Sequence, residues 1–149
     1  MRLLDAYTDP RAVSVLYELL AERPRDNWIS HERMPTLEEH KAFVRSRPFR
    51  LWLLIVPDDL IDLNHYPVAV GAIEANDRNE MGVSILKRHQ RKGYARAALT
   101  MFVKHYDPLP AIPAVRNDHW LANIAARNEG SKAFFRKMGF QPLQETYIL

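Results

Sequence analysis

The chain has 149 residues, of which 47% are hydrophobic and 26% are charged. This balance is typical of a globular protein, and we expect residues 1–149 to form one domain. The sequence contains no cysteine, which excludes disulfides, thiolate metal sites and a cysteine nucleophile. The six histidines lack the spacing of metal ligands, so we expect no metal site. A net charge of +3 is too small to make the whole protein a polyanion binder, and we expect no nucleic-acid partner.

The first residues and the apolar runs bear on localisation. The segment Met1–Asp9 reaches an acidic residue after two leucines, so it lacks the apolar region of a secretory signal. The longest apolar run, 51–56, is far shorter than the roughly 20 residues of a membrane helix. These features predict a cytoplasmic protein with no membrane partner.

Two helices are predicted near the N-terminus. After Pro10, apolar residues recur at the i, i+3, i+4, i+7 spacing of one helix face, which predicts a first helix over about 10–22. Thr36 and Glu39 have the spacing of a capping box. They predict a second helix from Thr36 to near Pro48.

The rest of the chain alternates strand and helix signals. Short apolar runs bounded by turn-forming residues predict strands at 51–56, 68–73, 81–86, 120–125 and 146–149. The first three of these are expected to be consecutive and antiparallel. A helix is predicted after Gly93, and another is predicted from the cap Asn128 to Gly139. The order ααβββαβαβ predicts an α/β (α+β) fold, with helices flanking a mixed, largely antiparallel central sheet.

The segment Lys87–Arg96 carries five basic residues and no acidic one. It lies where a predicted strand ends and a predicted helix begins. A helix N-terminus presents unpaired N–H groups and the positive end of the helix dipole, and Gly93 allows a close approach of the backbone to a phosphate. The pattern favours a pyrophosphate-binding loop, and a solvated basic loop that opens an amphipathic helix fits the same residues.

Two motifs carry a resemblance to a known family. The segment 90–95, QRKGYA, resembles the Q/R-x-x-G-x-G/A acyl-CoA signature of the GNAT superfamily of N-acyltransferases. The segment 128–140 resembles the family's second motif, N-x-x-S-x-x-F-x-x-x-G-F. The motifs occur in the family's order, separated by a helix, a loop and a strand. The resemblance implies a GNAT-like fold over nearly the whole chain and acetyl-CoA as the co-substrate.

The resemblance also implies the position of the CoA site. In this family the fourth and fifth strands splay apart, and the pantetheine arm of CoA lies between them. Backbone groups near Ile85 would then bind the arm and polarise the thioester carbonyl, and the N–H groups of 91–96 would hold the diphosphate. Asn128 and Ser131 would contact the arm or its neighbouring loop, although both residue types also cap helices. The implied CoA-binding residues are Ser84, Ile85, Leu86, Gln90, Arg91, Lys92, Gly93, Tyr94, Ala95, Arg96, Asn128 and Ser131.

Acetyl transfer to an amine requires the neutral amine, and a carboxylate commonly removes its proton. Glu80 is the first candidate for this base and Glu74 is the second, while both positions also fit solvent-facing strand ends. Phe135 occupies the position where many GNAT members carry a tyrosine as general acid. Asn123 occupies the position where members acting on protein N-termini carry a glutamate. The acid is then another tyrosine, such as Tyr147, or water.

The leading interpretation is an N-acetyltransferase acting on the primary amine of a small molecule, such as an amino sugar, by direct attack in a ternary complex. The helix start 34–40 loosely resembles members that acetylate small molecules, and His31 and Glu32 lie in the loop that borders the acceptor site in this family. The alternatives are a protein N-terminal or lysine acetyltransferase, a non-catalytic CoA-binding module, and a nucleic-acid binder that uses 87–96. The acceptor, the acyl chain preference and the oligomeric state, a homodimer included, stay open.

Overall fold

The computed structural model describes residues 1–25 and 33–146, so the predictions that concern His31, Glu32 and Tyr147 lie outside the described residues. The helices are α1 (Ala12–Glu22), α2 (Leu37–Arg45), α3 (Tyr94–His105) and α4 (Glu129–Lys137). The strands are β1 (Arg2–Asp5), β2 (Leu51–Val56), β3 (Gly71–Ala75) and β4 (Met81–Ile85). Within the described part of the chain, no helix has the length and apolar character that a bilayer crossing requires.

The four strands form one antiparallel sheet in the order β1-β2-β3-β4. The predicted antiparallel arrangement of the three middle strands is confirmed, and so is the α+β class. The first strand, β1, was not predicted, because its four residues are too few to show a periodic pattern. It pairs with residues 53–56 of β2, with Arg2 opposite Val56.

One predicted strand has different bounds in the structure, and another is not formed. β3 begins at Gly71 rather than at 68, because Val68 donates instead to Leu60 in the loop after β2. The predicted strand over 120–125 is wrong: in the described chain only Leu121 forms a bridge, parallel to Glu80. The part of the predicted last strand that is described, residue 146, is not in a strand.

Helices cover both faces of the sheet, which explains the continuous apolar run of β2. Trp52, Leu54 and Val56 pack against α1 and α2, whereas Leu53 packs against α3 and α4. This alternation follows from the two-residue period of a strand. Both faces of β2 are therefore covered, and every residue from Trp52 to Val56 is buried.

Local polar contacts set where the first two helices begin. The capping box predicted at α2 is present, because Thr36 Oγ1 accepts from the N–H of Glu39 (3.2 Å) and Glu39 Oε2 accepts from the N–H of Thr36 (2.7 Å). α1 begins at Ala12 rather than at Pro10. Asp9 Oδ1 accepts from the N–H of Arg11 at 2.9 Å, and this turn delays the first helical residue.

The turn between β3 and β4 is fixed by a buried asparagine. Asn79 has a positive φ of 61° and no solvent exposure. Its Nδ2 donates to the carbonyls of Leu109 (2.8 Å) and Asn117 (2.7 Å), and its Oδ1 accepts from the N–H of Leu109 (2.7 Å). Asparagine tolerates the left-handed conformation better than most residues. Asn79 thereby ties the start of β4 to the proline-rich loop that follows α3.

Candidate active site

The free edge of β4 opens a gap in the sheet. Leu121 donates to the carbonyl of Asn79 (2.9 Å) and accepts from the N–H of Met81 (2.7 Å), so the two segments run parallel at this point. Beyond it, the described residues 122–125 form no bridge with β4. The two segments therefore separate after Met81, and the peptide groups along the rest of β4 are available to a ligand.

The antiparallel pairing decides which peptide groups face the gap. Backbone groups of successive strand residues point to opposite sides. The N–H of Met81 points to Leu121, and the N–H of Leu86 points back to Val70. Val83 therefore directs its N–H and C=O into the gap. Val83 is not among the residues predicted from the sequence, because the two-residue alternation identifies it only once the paired edge of β4 is known.

The same alternation refines the predicted contacts at the end of β4. Ser84 lies opposite Ala72 and directs its peptide groups toward β3. Ile85 faces the gap, and its carbonyl accepts from Gln90 Nε2 at 2.9 Å. The side chain of Gln90 thus holds the end of β4. Only the N–H of Ile85 is left to face the gap.

The predicted phosphate loop has a backbone shape suited to an anion. Arg91 and Gly93 both have a positive φ, 60° and 85°. Left-handed residues among right-handed ones turn successive N–H groups toward a common point, which forms an anion-binding concavity. For Arg91 this conformation costs about 1–2 kcal/mol. Such strain is typical of binding sites.

The N-terminus of α3 completes this loop. Gly93 is the N-cap, no side chain caps the helix, and its first turn contains no acidic residue. The N–H groups of Tyr94, Ala95 and Arg96 have no partner within the helix. A Cβ on Gly93 would meet no atom within 4 Å, so a ligand can approach the backbone closely. These features fit a diphosphate.

Two acidic residues of α1 contact the turn that precedes the phosphate loop. Glu22 Oε2 accepts from the N–H of Lys87 at 2.7 Å. Glu18 pairs with the guanidinium of Arg88, so this cation already has an acidic partner within the protein. Burial lowers the pKa of His89, the residue after Arg88, and the positive charges of Arg88 and Lys92 lower it further.

Asn128 and Ser131 lie at the start of α4, as the second motif predicts. Asn128 is the N-cap, and its Oδ1 accepts from the N–H of Ser131 at 3.0 Å. The capping function considered for Asn128 is confirmed. The contact of either residue with CoA stays a prediction.

Glu74 lies beside the gap on the face covered by α1 and α2. It stands between Trp52 on β2 and Gly82 on β4. Its carboxylate lies across Gly82, so that a Cβ on Gly82 would stand 2.3 Å from Oε1. Burial raises the pKa of Glu74 to about 7, although the Arg23 guanidinium and the backbone N–H of Glu74 oppose this rise.

Glu80 lies before the gap, where β4 is still paired. Its Oε2 accepts from Asn76 Nδ2 at 2.6 Å, and its N–H donates to Asn76 Oδ1 at 3.0 Å. Its side chain borders a cleft of about 410 Å³, which Arg78 and Arg116 also line. The carboxylate of Glu80 thus closes the β3–β4 turn. Of the two predicted bases, only Glu74 lies directly over the open part of β4.

The family follows from a sequence profile, and solved structures share the fold. The profile described as an acetyltransferase (GNAT) domain matches residues 3–141. The chain belongs to the GNAT acetyltransferase family. It is therefore an acyl-CoA-dependent N-acetyltransferase, and acetyl-CoA is the co-substrate of this family. No curated protein sequence matches the chain.

Solved structures share the GNAT fold at low sequence identity. An acetyltransferase from Thermus thermophilus is 21% identical, with a TM-score of 0.63, and the match covers 97% of this chain and 88% of that one. A domain from Methanocaldococcus jannaschii is 16% identical, with a TM-score of 0.71 and coverages of 97% and 90%. A ribosomal-protein-alanine N-acetyltransferase from Brucella melitensis is 19% identical, with a TM-score of 0.60 and coverages of 94% and 83%.

Phe135, which replaces the tyrosine found in many GNAT members, lies in the core. It is 6% exposed, and its ring packs edge-on against Phe134 (5.2 Å) and Phe140 (5.0 Å). The position therefore serves packing in this chain. Within residues 1–25 and 33–146, no group of three His, Cys, Asp or Glu side chains is arranged to hold a metal ion.

Proposed function

We propose that this GNAT enzyme transfers an acetyl group from acetyl-CoA to the primary amine of a small molecule, with Glu74 as the general base. The observation that carries the proposal is the position of the Glu74 carboxylate, which lies across Gly82 and next to the open peptide of Val83. A base must reach the amine that attacks the thioester. Glu74 lies within one residue of the place where that thioester is expected.

The residues present fit acetyl-CoA. The unpaired peptide groups of Val83 and the N–H of Ile85 would bind the pantetheine arm as a missing strand would. The left-handed turns at Arg91 and Gly93 and the open first turn of α3 support binding of the diphosphate. Asn128 and Ser131, at the start of α4, are the further residues that the second motif assigns to CoA. Acetyl-CoA supplies an activated acyl group with a thiolate as the leaving group.

The reaction then divides among the residues. Glu74 takes a proton from the attacking amine, whose nitrogen forms the new bond to the acyl carbon while the C–S bond breaks. The N–H of Val83 donates to the acyl oxygen as negative charge develops on it. The departing thiolate takes its proton from water or from another tyrosine such as Tyr147, since Phe135 has none to give. A pKa of about 7 for Glu74 keeps a large fraction ionised at neutral pH, with enough basicity to accept the proton.

The choice of a small acceptor rests on the sequence. Asn123 stands where members that act on protein N-termini carry a glutamate, and the start of α2 resembles members that acetylate small molecules. The Brucella melitensis neighbour is by its title a ribosomal-protein-alanine N-acetyltransferase. Peptides that begin with alanine are therefore the competing acceptors to test.

The test is a thiol-release assay with acetyl-CoA and a panel of amino sugars, other small amines and alanine-initiated peptides. The parent is expected to release thiol with a small amine, and Glu74→Gln is expected to lower kcat/KM by roughly 10²- to 10⁴-fold without changing the affinity for CoA. Turnover of the peptides alone would overturn the small-molecule acceptor. A loss of rate in Glu80→Gln with none in Glu74→Gln would move the base to Glu80.

A further inference from the structure

We propose that Gly82 is a positioning residue of the transfer reaction: because it has no side chain, it lets the carboxylate of Glu74 lie across β4 beside the open peptide of Val83. This inference rests on the proposed role of Glu74 as the base. It adds a reason for that carboxylate to point at the gap in the sheet.

The contacts around Gly82 are all with one side chain. A Cβ on Gly82 would stand 2.3 Å from Glu74 Oε1, 3.0 Å from its Cδ and 3.7 Å from its Oε2. No other residue supplies any of these three nearest atoms. The carboxylate of Glu74 therefore occupies the space that the Cβ of any other residue at this position would need.

The backbone gives no other reason for a glycine at this position. The glycines with a positive φ among the described residues are Gly93 and Gly139, so Gly82 does not need the freedom of glycine for its conformation. Gly71 on β3 provides a contrast, because a Cβ there would stand 2.1 Å from the carbonyl oxygen of Ser84 and 3.0 Å from the Cα of Ile85. At Gly71 a side chain would collide with the backbone of β4, whereas at Gly82 it would collide only with the flexible side chain of Glu74.

The position of Glu74 in the sheet explains how its carboxylate reaches the open edge of β4. Trp52 stands directly opposite Glu74 on β2 and is 7% exposed, so the carboxylate has a bulky neighbour on that side. Adjacent strands are about 4.8 Å apart. A carboxylate that extends from β3 onto Gly82 therefore spans the width between the two strands and reaches the edge that the gap exposes.

The experiment compares four proteins: the parent, Gly82→Ala, Glu74→Gln and the double variant. In Gly82→Ala the Glu74 side chain is expected to rotate away while the strand stays in place, so Tm does not fall below that of the parent. With the best amine of the panel, kcat/KM is expected to fall by roughly 10²-fold, as a misplacement of about 1 Å can produce. Because Glu74→Gln has already lost the base, adding Gly82→Ala to it is expected to change the rate by less than about twofold.

A second readout needs no acceptor. The side-chain carboxyl carbon of Glu74 can be titrated by ¹³C NMR, and its midpoint is expected to fall in Gly82→Ala toward the ordinary range of glutamate. An unchanged midpoint and rate in Gly82→Ala would overturn the positioning role. A further large loss in the double variant would overturn it too, because it would show that the new methyl group obstructs a substrate directly.

The two proposals fail in different ways. If Glu74→Gln keeps the parental rate, Glu74 is not the base, and the NMR titration still decides whether Gly82 places its carboxylate. If Gly82→Ala does not fold, the variant Gly82→Ala/Glu74→Ala removes the carboxylate from the same space and is expected to fold. Failure of both to fold would overturn the proposal, because the requirement for glycine would then lie in the backbone.

Discussion

The carboxylate of Glu22, at the last residue of α1, accepts a hydrogen bond of 2.7 Å from the backbone N–H of Lys87. This bond joins residues 65 positions apart in the sequence. It connects the C-terminal end of α1 with the turn that leads from β4 into the predicted phosphate loop. The shape of that loop therefore depends on the position of α1.

The first prediction concerns this bond. Glu22→Ala is expected to weaken CoA binding by about three- to tenfold, because the loss of one hydrogen bond of about 1 kcal/mol loosens the loop. Isothermal titration with CoA measures the effect. Glu38→Ala is the matched control, since Glu38 pairs with Lys41 on α2 at 2.7 Å, away from the loop. Equal affinities in the two variants would contradict the prediction.

The second prediction uses two glycines with nearly the same backbone. Gly93 and Gly139 have φ values of 85° and 91°, and a Cβ on either would meet no atom within 4 Å. Asparagine tolerates this region, so Gly93→Asn and Gly139→Asn are expected to lose similar amounts of stability. Only Gly93→Asn is expected to lose CoA affinity, by roughly tenfold or more, because its side chain enters the phosphate loop.

The measurement is the dissociation constant of CoA together with the shift of Tm that CoA produces. At about 100 times the dissociation constant, CoA is expected to stabilise the parent by roughly 2.7 kcal/mol. The same affinity in both variants would show that the diphosphate does not approach Gly93.

The third prediction concerns pH. Glu74 must be ionised to accept a proton, so kcat/KM calculated on the concentration of the neutral amine is expected to fall about tenfold per pH unit below the Glu74 pKa of about 7. In Glu74→Gln this acidic limb is expected to disappear along with most of the rate. A parental acidic limb that persists in Glu74→Gln would assign it to another group. Rates from about pH 5 to about pH 9 with the same amine measure this.

Ionisation of Glu74 is expected to favour the reaction but to destabilise the folded protein. The pKa of Glu74 is higher in the folded protein than in the unfolded chain, so its contribution to stability is full below the unfolded value and is lost as the pH rises through about 7. Glu74→Gln is therefore expected to be more stable than the parent at about pH 8, by ~1–3 kcal/mol. The difference is expected to shrink as the pH falls toward about 4. Denaturant unfolding at the two pH values measures it.

The fourth prediction concerns the missing tyrosine. Phe135 is buried against Phe134 and Phe140, so the hydroxyl of Phe135→Tyr enters an apolar cluster. The change is expected to cost about 1–3 kcal/mol of stability and to leave kcat unchanged. Thermal unfolding and the thiol-release rate measure the two effects. A faster enzyme of full stability would show that the hydroxyl reaches the departing thiolate.

The local patterns of the sequence were sufficient for the elements with strong periodicity or capping. The capping box at Thr36 and Glu39 formed as predicted, and the helix that follows Gly93 begins at Tyr94. The motif at 90–95 predicted a phosphate loop, and the observed left-handed turn and helix start fit it, because both are properties of neighbouring residues. β1 was missed, and residues 120–125 were assigned a strand that they do not form, because strand pairing depends on distant segments.

The choice between the two candidate bases could not be predicted from the sequence, because it also depends on strand pairing. Glu74 and Glu80 are equivalent acidic residues near strand ends until the sheet is assembled. The register then places Glu74 opposite Gly82 and beside the gap, and it places Glu80 against Asn76 in the turn. The sequence by itself determined the fold class and the family and predicted the phosphate loop, since these follow from periodicity and contiguous motifs. Only the tertiary structure decided which carboxylate faces the open edge of β4, because that depends on the pairing of strands and on the burial that raises the pKa of Glu74.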